Sequence, residues 1–203
     1  MARYRGPRCR LCRREGESIC FCKKCAQTVR RYPPGQHGVL KRSKLSDYGI
    51  QLREKQKVKR LYGILEKQFR RYYEKAARKQ GVTGSVLLQF LERRLDNVIF
   101  RLGFATTRPQ ARQIVSHGLV KVNGRRVNIP SFQVELGDEI ELKIKEKTKK
   151  LINTNIEQTN DRGVPEWLMV DEKKHAGKVV KLPERDDVQF PINEQLIVEL
   201  YSK

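Results

Sequence analysis

An α+β fold is expected, and three features of the sequence point to it. Residues 46–118 carry apolar side chains at helical spacing, residues 119–144 alternate apolar and polar as strands do, and residues 1–45 hold all five cysteines but few large apolar residues. The chain has 203 residues, enough for one or two domains, and at 38% hydrophobic it can build a core. No run approaches the roughly 18 apolar residues of a membrane span. Met1-Ala2-Arg3-Tyr4-Arg5 leads into no apolar segment or small-residue cleavage site, so no secretory signal is expected.

Taken in order, the elements read as follows. Two prolines and two glycines in Tyr32-Pro-Pro-Gly-Gln-His-Gly38 forbid regular structure there, and His37 reads as a loop side chain rather than a ligand. Ser46-Asp47 supplies a cap and a first-turn acid for a helix carrying Ile50, Leu52, Val58 and Leu61 and ending near Gly63. A second helix runs from about Leu65 to Lys79, with Phe69, Tyr72, Tyr73, Ala76 and Ala77 as its apolar stripe; the tyrosines are expected in the core. Ser85 can cap a third, whose pattern continues through Leu95, Val98, Ile99 and Leu102 until Gly103. Thr106 or Thr107 opens a short helix with Pro109 in its first turn, closed by Gly118. Leu119–Val122, a return through Val127 and Ile129, and Glu139–Ile144 then form a small antiparallel sheet, with Asn123-Gly124 as the hairpin turn.

Charge narrows the function. The chain holds 44 Lys+Arg against 23 Asp+Glu, a net +21, so it needs a polyanion to relieve self-repulsion; nucleic acid fits better than a membrane surface. The surplus is uneven: +11 in residues 1–45, +6 in 46–92, +7 in 93–150 and −3 in 151–203. Candidate phosphate-facing side chains are Arg8, Arg10, Arg13 and Arg14 in the first segment, Lys41, Arg42 and Lys44 after the Pro-Gly loop, and Arg53, Lys55, Lys57, Lys59 and Arg60 along the first long helix. Further on come Arg94, Arg101, Arg108, Gln110, Arg112, Gln113, His117, Lys121, Asn123, Arg125 and Arg126. Arg108 and Arg112 share one helical face, where guanidinium groups four residues apart can straddle successive phosphates.

Cys9, Cys12, Cys20, Cys22 and Cys25 crowd into 17 residues. In a reducing compartment disulfides are disfavoured, and pairs with two or four residues between them suit a tetrahedral sulfur site. Zinc is the leading occupant and an iron–sulfur cluster the alternative. Spacing makes one cysteine spare and leaves open whether it is Cys20 or Cys22. Arg8, Arg10, Arg13, Arg14, Lys23 and Lys24 would favour thiolates and offset their charge.

The run Leu95-Asp96-Asn97, Arg101-Leu102-Gly103, Arg108-x-Gln110-Ala111-Arg112-Gln113, His117-Gly118 and Val122-Asn123-Gly124 resembles the small RNA-binding module named after the fourth protein of the small ribosomal subunit. That module also occurs in RNA-modifying enzymes, so alone it decides little. Tyr32–Gly38, Ser46-Asp47-Tyr48-Gly49, Leu52–Lys57 and the closing Asn193–Lys203 extend the resemblance over the whole chain, to the bacterial-type family of small-subunit ribosomal protein four. The resemblance implies a mainly helical split domain, residues 46–92 plus 152–203, with the module (two helices plus a small antiparallel sheet) inserted at 93–151, behind a Cys-rich basic extension, 1–45. In the family's metal-binding branch the ligands would be Cys9, Cys12, Cys20 and Cys25, with Cys22 as the alternative.

It further implies a non-enzymatic, cytoplasmic constituent of the small subunit that is not a homo-oligomer and does not bind membranes. Its partners would be the 5′ domain of 16S rRNA at a multi-helix junction, mRNA at the entry channel near Lys41, Arg42 and Lys44, and neighbouring proteins, the fifth of the subunit foremost and the third beside it. Early binding would nucleate assembly and support decoding accuracy. An RNA-modifying enzyme is the weaker reading, because too few residues follow the module for a catalytic domain. A zinc-containing nucleic-acid-binding regulator lacks the usual finger spacing after its cysteines. With a ribosome assembly factor, it remains the alternative.

Overall fold

Ser46 opens the first long helix as its sequence suggests: its side chain accepts a hydrogen bond from the Gly49 amide at 3.3 Å, and Gly63, at φ +65°, turns the chain out of it. The computed structural model describes residues 4–22, 24–39, 44–143, 146–171 and 174–202. Its helices are α1 (Arg8–Glu15), α2 (Ala26–Val29), α3 (Asp47–Leu61), α4 (Glu66–Ala77), α5 (Thr83–Glu92), α6 (Leu95–Arg101), α7 (Arg108–Ser116), α8 (Glu146–Thr159) and α9 (Glu194–Tyr201). Its strands are β1 (Val120–Val122), β2 (Arg125–Val127), β3 (Glu139–Leu142), β4 (Leu168–Asp171) and β5 (Ala176–Val179). Two units emerge, Met1–Leu87 with Phe190–Lys203, and Leu88–Gln189; the division falls inside α5.

In the first unit, α3 and α4 bury Val58, Leu61, Phe69, Tyr72 and Ala76, and α9 adds Ile197. Phe69 and Tyr72 are core residues, as expected, whereas Tyr73 is half-buried and stacks on Tyr201 at 4.6 Å. Polar clasps hold α9 to α3 and α4. Gln51 donates to Glu199 at 2.9 Å, and the Tyr201 hydroxyl donates to Glu66 at 2.7 Å. Glu66 also accepts from Lys55 and Lys59, both at 2.9 Å. Partial burial pushes the Glu66 carboxyl up, but these three donors outweigh it and bring it down to about 2, while burial and Glu66 push the Tyr201 hydroxyl up.

The second unit departs from the sequence reading in three ways, each with a physical cause. First, the pattern expected to run as one helix to Gly103 breaks between α5 and α6. Arg94 is extended, bridges Gln133 across an antiparallel pair, and is fully buried. The Leu95 amide donates to Phe132 and the Val134 amide to Arg93, so the break pairs with the 130s loop. Second, among the described residues the sheet has five strands, ordered β2-β1-β3-β5-β4 and antiparallel throughout, because β5 adds to β3 and β4 to β5. Third, residues 152–189, assigned from sequence to the helical body, lie in this unit. Ile152, Trp167, Leu168 and Val179 belong to the same core as Leu95, Val98, Ile99, Phe100, Phe104 and Ile140. The −3 segment therefore divides, and only its last residues pack on α3.

The hairpin turn is as expected. Asn123 and Gly124 both have positive φ, +50° and +76°, and Asn123 is further fixed by donating to Asp138 and accepting from the Glu139 amide.

Two outcomes test this packing. Above about pH 4.5 the Glu66 clasp contributes its full stability, which is lost as pH falls toward 2, since the folded carboxyl lies below its ordinary value. Thermal melting of the full chain should weaken through that window, and E66Q should flatten the loss. At Gly177 on β5, a Cβ would stand 2.6 Å from Leu102, so Gly177→Ala must displace a core leucine and should cost about 1–3 kcal/mol by chemical denaturation.

Candidate nucleic-acid interface and cysteine cluster

The cysteines come together from three places. Cys9 and Cys12 project from α1, Cys20 and Cys22 flank a tight turn, and Cys25 precedes α2. Gly16 at φ +76° ends α1, and Phe21 at φ +54° bends the chain between Cys20 and Cys22. The sulfurs of Cys9, Cys20, Cys22 and Cys25 all lie within 4.8 Å of one another. Individual separations are 3.8 Å for Cys9–Cys22, 2.8 Å for Cys20–Cys22 and 3.5 Å for Cys20–Cys25. Cys12 is not in that group of four, but it is fully buried on α1, one helical turn after Cys9. All five are free thiols.

Burial pushes the Cys12 and Cys22 thiols up, reinforced by neighbouring Cys20. Burial acts the same way on Cys25, yet hydrogen bonds from the Ser18 side chain, the Gln27 backbone, Cys20 and Cys12 prevail and bring it down to about 7.

The basic residues of α1 divide. Arg10 and Arg14 are exposed. Arg13 is turned inward to the Pro-Gly loop: it donates to the Tyr32 and Pro33 carbonyls at 3.1 and 3.2 Å and lies over the Tyr32 ring. Arg8 is half-buried, and Lys44, like His37, is exposed. Lys23, Lys41 and Arg42 lie outside the described residues.

Along α3 every cation that the sequence offered for phosphate has an internal acid. Arg53 and Arg60 both pair with Glu15, the former at 3.2 Å. Lys57 pairs with Glu17 at 3.2 Å and Glu54 at 2.9 Å and donates to the Pro191 carbonyl. Lys55 and Lys59 share Glu66. The Glu15 side chain is 1% exposed; burial pushes its carboxyl up despite the two arginines, and its Oε2 has no hydrogen-bond partner. These five side chains build the first unit.

Three of the module's cations are likewise paired with internal acids, and two further candidates have other internal partners. Arg94 is fully buried and donates to Asp96 through Nε at 3.0 Å and Nη2 at 2.6 Å, and Arg112 reaches Asp96 at 3.2 Å. Arg101 is clamped to buried Glu92 at 3.0 and 2.9 Å. Arg108 donates to Asn97 and lies over the Phe100 ring at 4.4 Å. Gln110 accepts from Thr106 and donates to Asn155. What faces solvent is Gln113, His117, Asn123, Arg125 and Arg126, with Lys121 half-exposed; Arg126 pairs in register with Lys121 and donates to the His117 carbonyl. These side chains form one basic edge where α7 meets the β1–β2 hairpin.

Sequence reasoning passed over a second basic surface. Lys67, Arg71 and Lys75 on α4, with Arg78 just past its end, are exposed and make no ion pair among the described residues. At i, i+4, i+8 and i+11 they run about 16 Å along one helical face. That spacing is legible in the sequence, but the tyrosine stripe of the same helix is the stronger pattern.

Comparison with known proteins places these features in a class. Residues 3–92 match the family described as ribosomal protein S4/S9 N-terminal domain, and residues 93–140 match the S4 domain, so this is an S4-domain protein. Curated relatives match end to end. Small ribosomal subunit protein uS4 of Acidobacterium capsulatum and that of Solidesulfovibrio magneticus are each 57% identical, and that of Geotalea daltonii 56%, over all of both chains. The chain belongs to the uS4 family of small ribosomal subunit proteins, a structural and non-enzymatic family. No helix among the described residues is long and apolar enough to cross a membrane.

The division of the arginines has a measurable consequence. Asp96→Asn leaves two buried guanidinium groups short of their countercharge and should cost about 3–5 kcal/mol in urea denaturation. Arg125→Ala at the exposed edge should leave stability within about 0.5 kcal/mol.

Proposed function

We propose that this chain is a cytoplasmic constituent of the small ribosomal subunit that binds the 5′ domain of 16S rRNA at a multi-helix junction early in assembly. The observation that carries the reading is the sorting of its cations. Every arginine and lysine on α3 and α6 is paired with an internal acid, while exposed basic surfaces remain on α4 and on the module. One is the α4 face with Lys67, Arg71, Lys75 and Arg78; the other is the module edge with His117, Lys121, Arg125 and Arg126. Two such surfaces suit an RNA of several helices better than one duplex. A-form RNA exposes phosphates and 2′-hydroxyls but little base edge to side chains, so recognition would go by shape. Holding several helices at once would favour a junction geometry that the RNA alone populates poorly.

Other interactions follow the family reading. Lys41, Arg42 and Lys44 would face mRNA near the entry channel and support accuracy, and neighbouring proteins, the fifth foremost and then the third, would complete the surroundings. A structural metal would order the first 45 residues, which have too little apolar surface to fold alone. The donor set fits zinc. Two sulfurs on one tetrahedral zinc stand about 3.8 Å apart, matching Cys9–Cys22 and close to Cys20–Cys25. An iron–sulfur cluster, the alternative, would spread its cysteines over several irons. When bound, the ion supplies only a fixed geometry; the cysteines hold it, and Arg10 and Arg14 remain free at the surface of the same helix.

Salt titration of binding to a 5′-domain transcript, against excess tRNA and duplex DNA, tests the reading. Replacing Lys67, Arg71, Lys75 and Arg78 with Ala should reduce the salt slope by about one for each phosphate that is no longer neutralised. Lys55→Ala with Lys59→Ala should lower stability and leave the slope unchanged. A complex that yields to either competitor would overturn rRNA specificity, and an unchanged slope in the α4 variant would remove that helix from the interface.

A further inference from the structure

Exposed lysines of the second unit fall into two kinds. Beside β4 and β5 the described ones each face an acid: Lys174 lies 3.8 Å from Asp171, Lys178 3.0 Å from Glu139 and Lys181 3.3 Å from Glu166. Where β3 ends and α8 begins the balance is different. Lys143-Ile-Lys-Glu-Lys-Thr-Lys-Lys150 holds five lysines against one acid. Lys143, Lys149 and Lys150 are exposed and make no ion pair among the described residues; Lys145 lies outside them.

The fold places these three side chains beside the basic edge of the module. The Lys143 amide donates to the Leu119 carbonyl at 2.8 Å, so Lys143 continues the ladder between β1 and β3. Along β3, Ile140 and Leu142 are buried while Glu139 and Glu141 are exposed, which puts Lys143 on the solvent side of the sheet. Lys121 is on that side too, opposite Glu141, and so stands one diagonal step from Lys143, about 7–8 Å. α8 is held against α7 by Asn155, which donates to the Phe104 carbonyl at 3.1 Å and accepts from Gln110 at 3.3 Å. Ile152 enters the core, and Lys149 and Lys150 stand at the exposed start of the helix.

In the free protein this placement is unfavourable. The first turn of a helix carries partial positive charge and disfavours cations, yet α8 sets Lys147 and Lys149 there with Glu146 as the only acid of the turn. Lys121 and Arg126, directly opposite on β1 and β2, repel as well. A line of phosphates relieves both strains. The β4–β5 side, with its cations already matched, offers a polyanion no such gain.

We propose that Lys143, Lys149 and Lys150 prolong the module's basic edge into a track for further phosphates of the same RNA. The track rests on the RNA-binding reading above and lies beyond residues 93–140, which match the S4 domain. An RNA backbone passes from the β1–β2 hairpin over the end of β3 to the start of α8. Glu141, opposite Lys121 on one side and Ala176 on the other, marks the border with the matched side.

Lysine footprinting with acetic anhydride, on full-length protein alone and bound to a 5′-domain 16S transcript, reads each site. Lys143, Lys149 and Lys150 should lose most of their reactivity in the complex, and Lys174, Lys178 and Lys181 should keep theirs. Salt titration then compares two triple variants that remove equal charge. Lys143→Ala/Lys149→Ala/Lys150→Ala should lower the slope by about two to three, and Lys174→Ala/Lys178→Ala/Lys181→Ala should leave it unchanged. The first variant should melt no lower than wild type, since it loses no ion pair and sheds a cation from a helix start.

Undiminished reactivity of the three lysines, an unchanged slope in the first variant, or an equal fall in both variants would overturn the track. A lower melting temperature in the first variant would assign these lysines to folding, also against it. If wild type yields to tRNA, the rRNA reading fails by itself, and the same footprint and slopes taken on the tRNA complex still decide the track. A wild type that binds neither RNA would defeat both.

Discussion

The first unit depends on neutralising α3. That helix carries Arg53, Lys55, Lys57, Lys59 and Arg60 within eight residues, and it must pack α1, α4 and α9 around it in a segment already rich in cations. Like charges at helical neighbour spacing repel. The helix lies at the centre with acids meeting its cations: Glu15 and Glu17 from the cysteine-bearing segment, Glu66 from α4, and Glu54 on α3 itself. Glu15 is the sharpest case, since its carboxylate is almost wholly buried between two guanidinium groups. Because Glu15 is the last residue of α1, the same pairing docks the helix that presents Cys9 and Cys12, so charge pairing and the cysteine cluster share one anchor.

The second unit solves a similar problem in its core. Arg94, Asp96 and Arg112 form one buried set, and Glu92, Asn97, Arg101 and Arg108 form another. Replacing buried ion pairs by apolar side chains is often neutral or stabilising, so such sets say little about net stability. They say much about geometry. Each guanidinium has a direction and a partner to meet, and satisfying Arg94 requires the extended backbone that separates α5 from α6. The helix break, the pairing with the 130s loop and the placement of α7 beneath Asp96 are aspects of one constraint.

Local signals in the sequence were reliable where the cause is local. The Ser46 cap, the glycines that close α3 and α7, the Asn123-Gly124 turn and the apolar stripes of α4 and α7 depend on a few adjacent residues, and each is found. Signals that depend on a distant partner were not legible. Nothing near Arg53 reveals that Glu15, 38 residues upstream, will take it, and nothing near Arg94 distinguishes a buried arginine from a phosphate ligand. β4 and β5 are short, and what makes them strands is the open edge of β3. The cysteine cluster was visible as a cluster, but its inner arrangement turns on the backbone of Phe21, a residue whose identity predicts no such bend. The α4 strip was present in the spacing and was overlooked because the apolar face of the same helix carries the stronger pattern.

The formal charge of +21 therefore overstates what the protein can offer to a polyanion. A cation already paired with a buried carboxylate neutralises no phosphate and releases no counterion, and moving it to do so would strand the acid it leaves. Among the described residues, the cations that remain include those on the exposed α4 face and at the hairpin edge, where no acid pairs with them. Their favourable partner is external. Folding and binding are in this way assigned to different residues: internal pairs let each unit close without RNA, and the outer cations stay unsatisfied until phosphate reaches them. A ligand that binds those outer groups more tightly in the folded state than in the unfolded chain stabilises the fold by mass action.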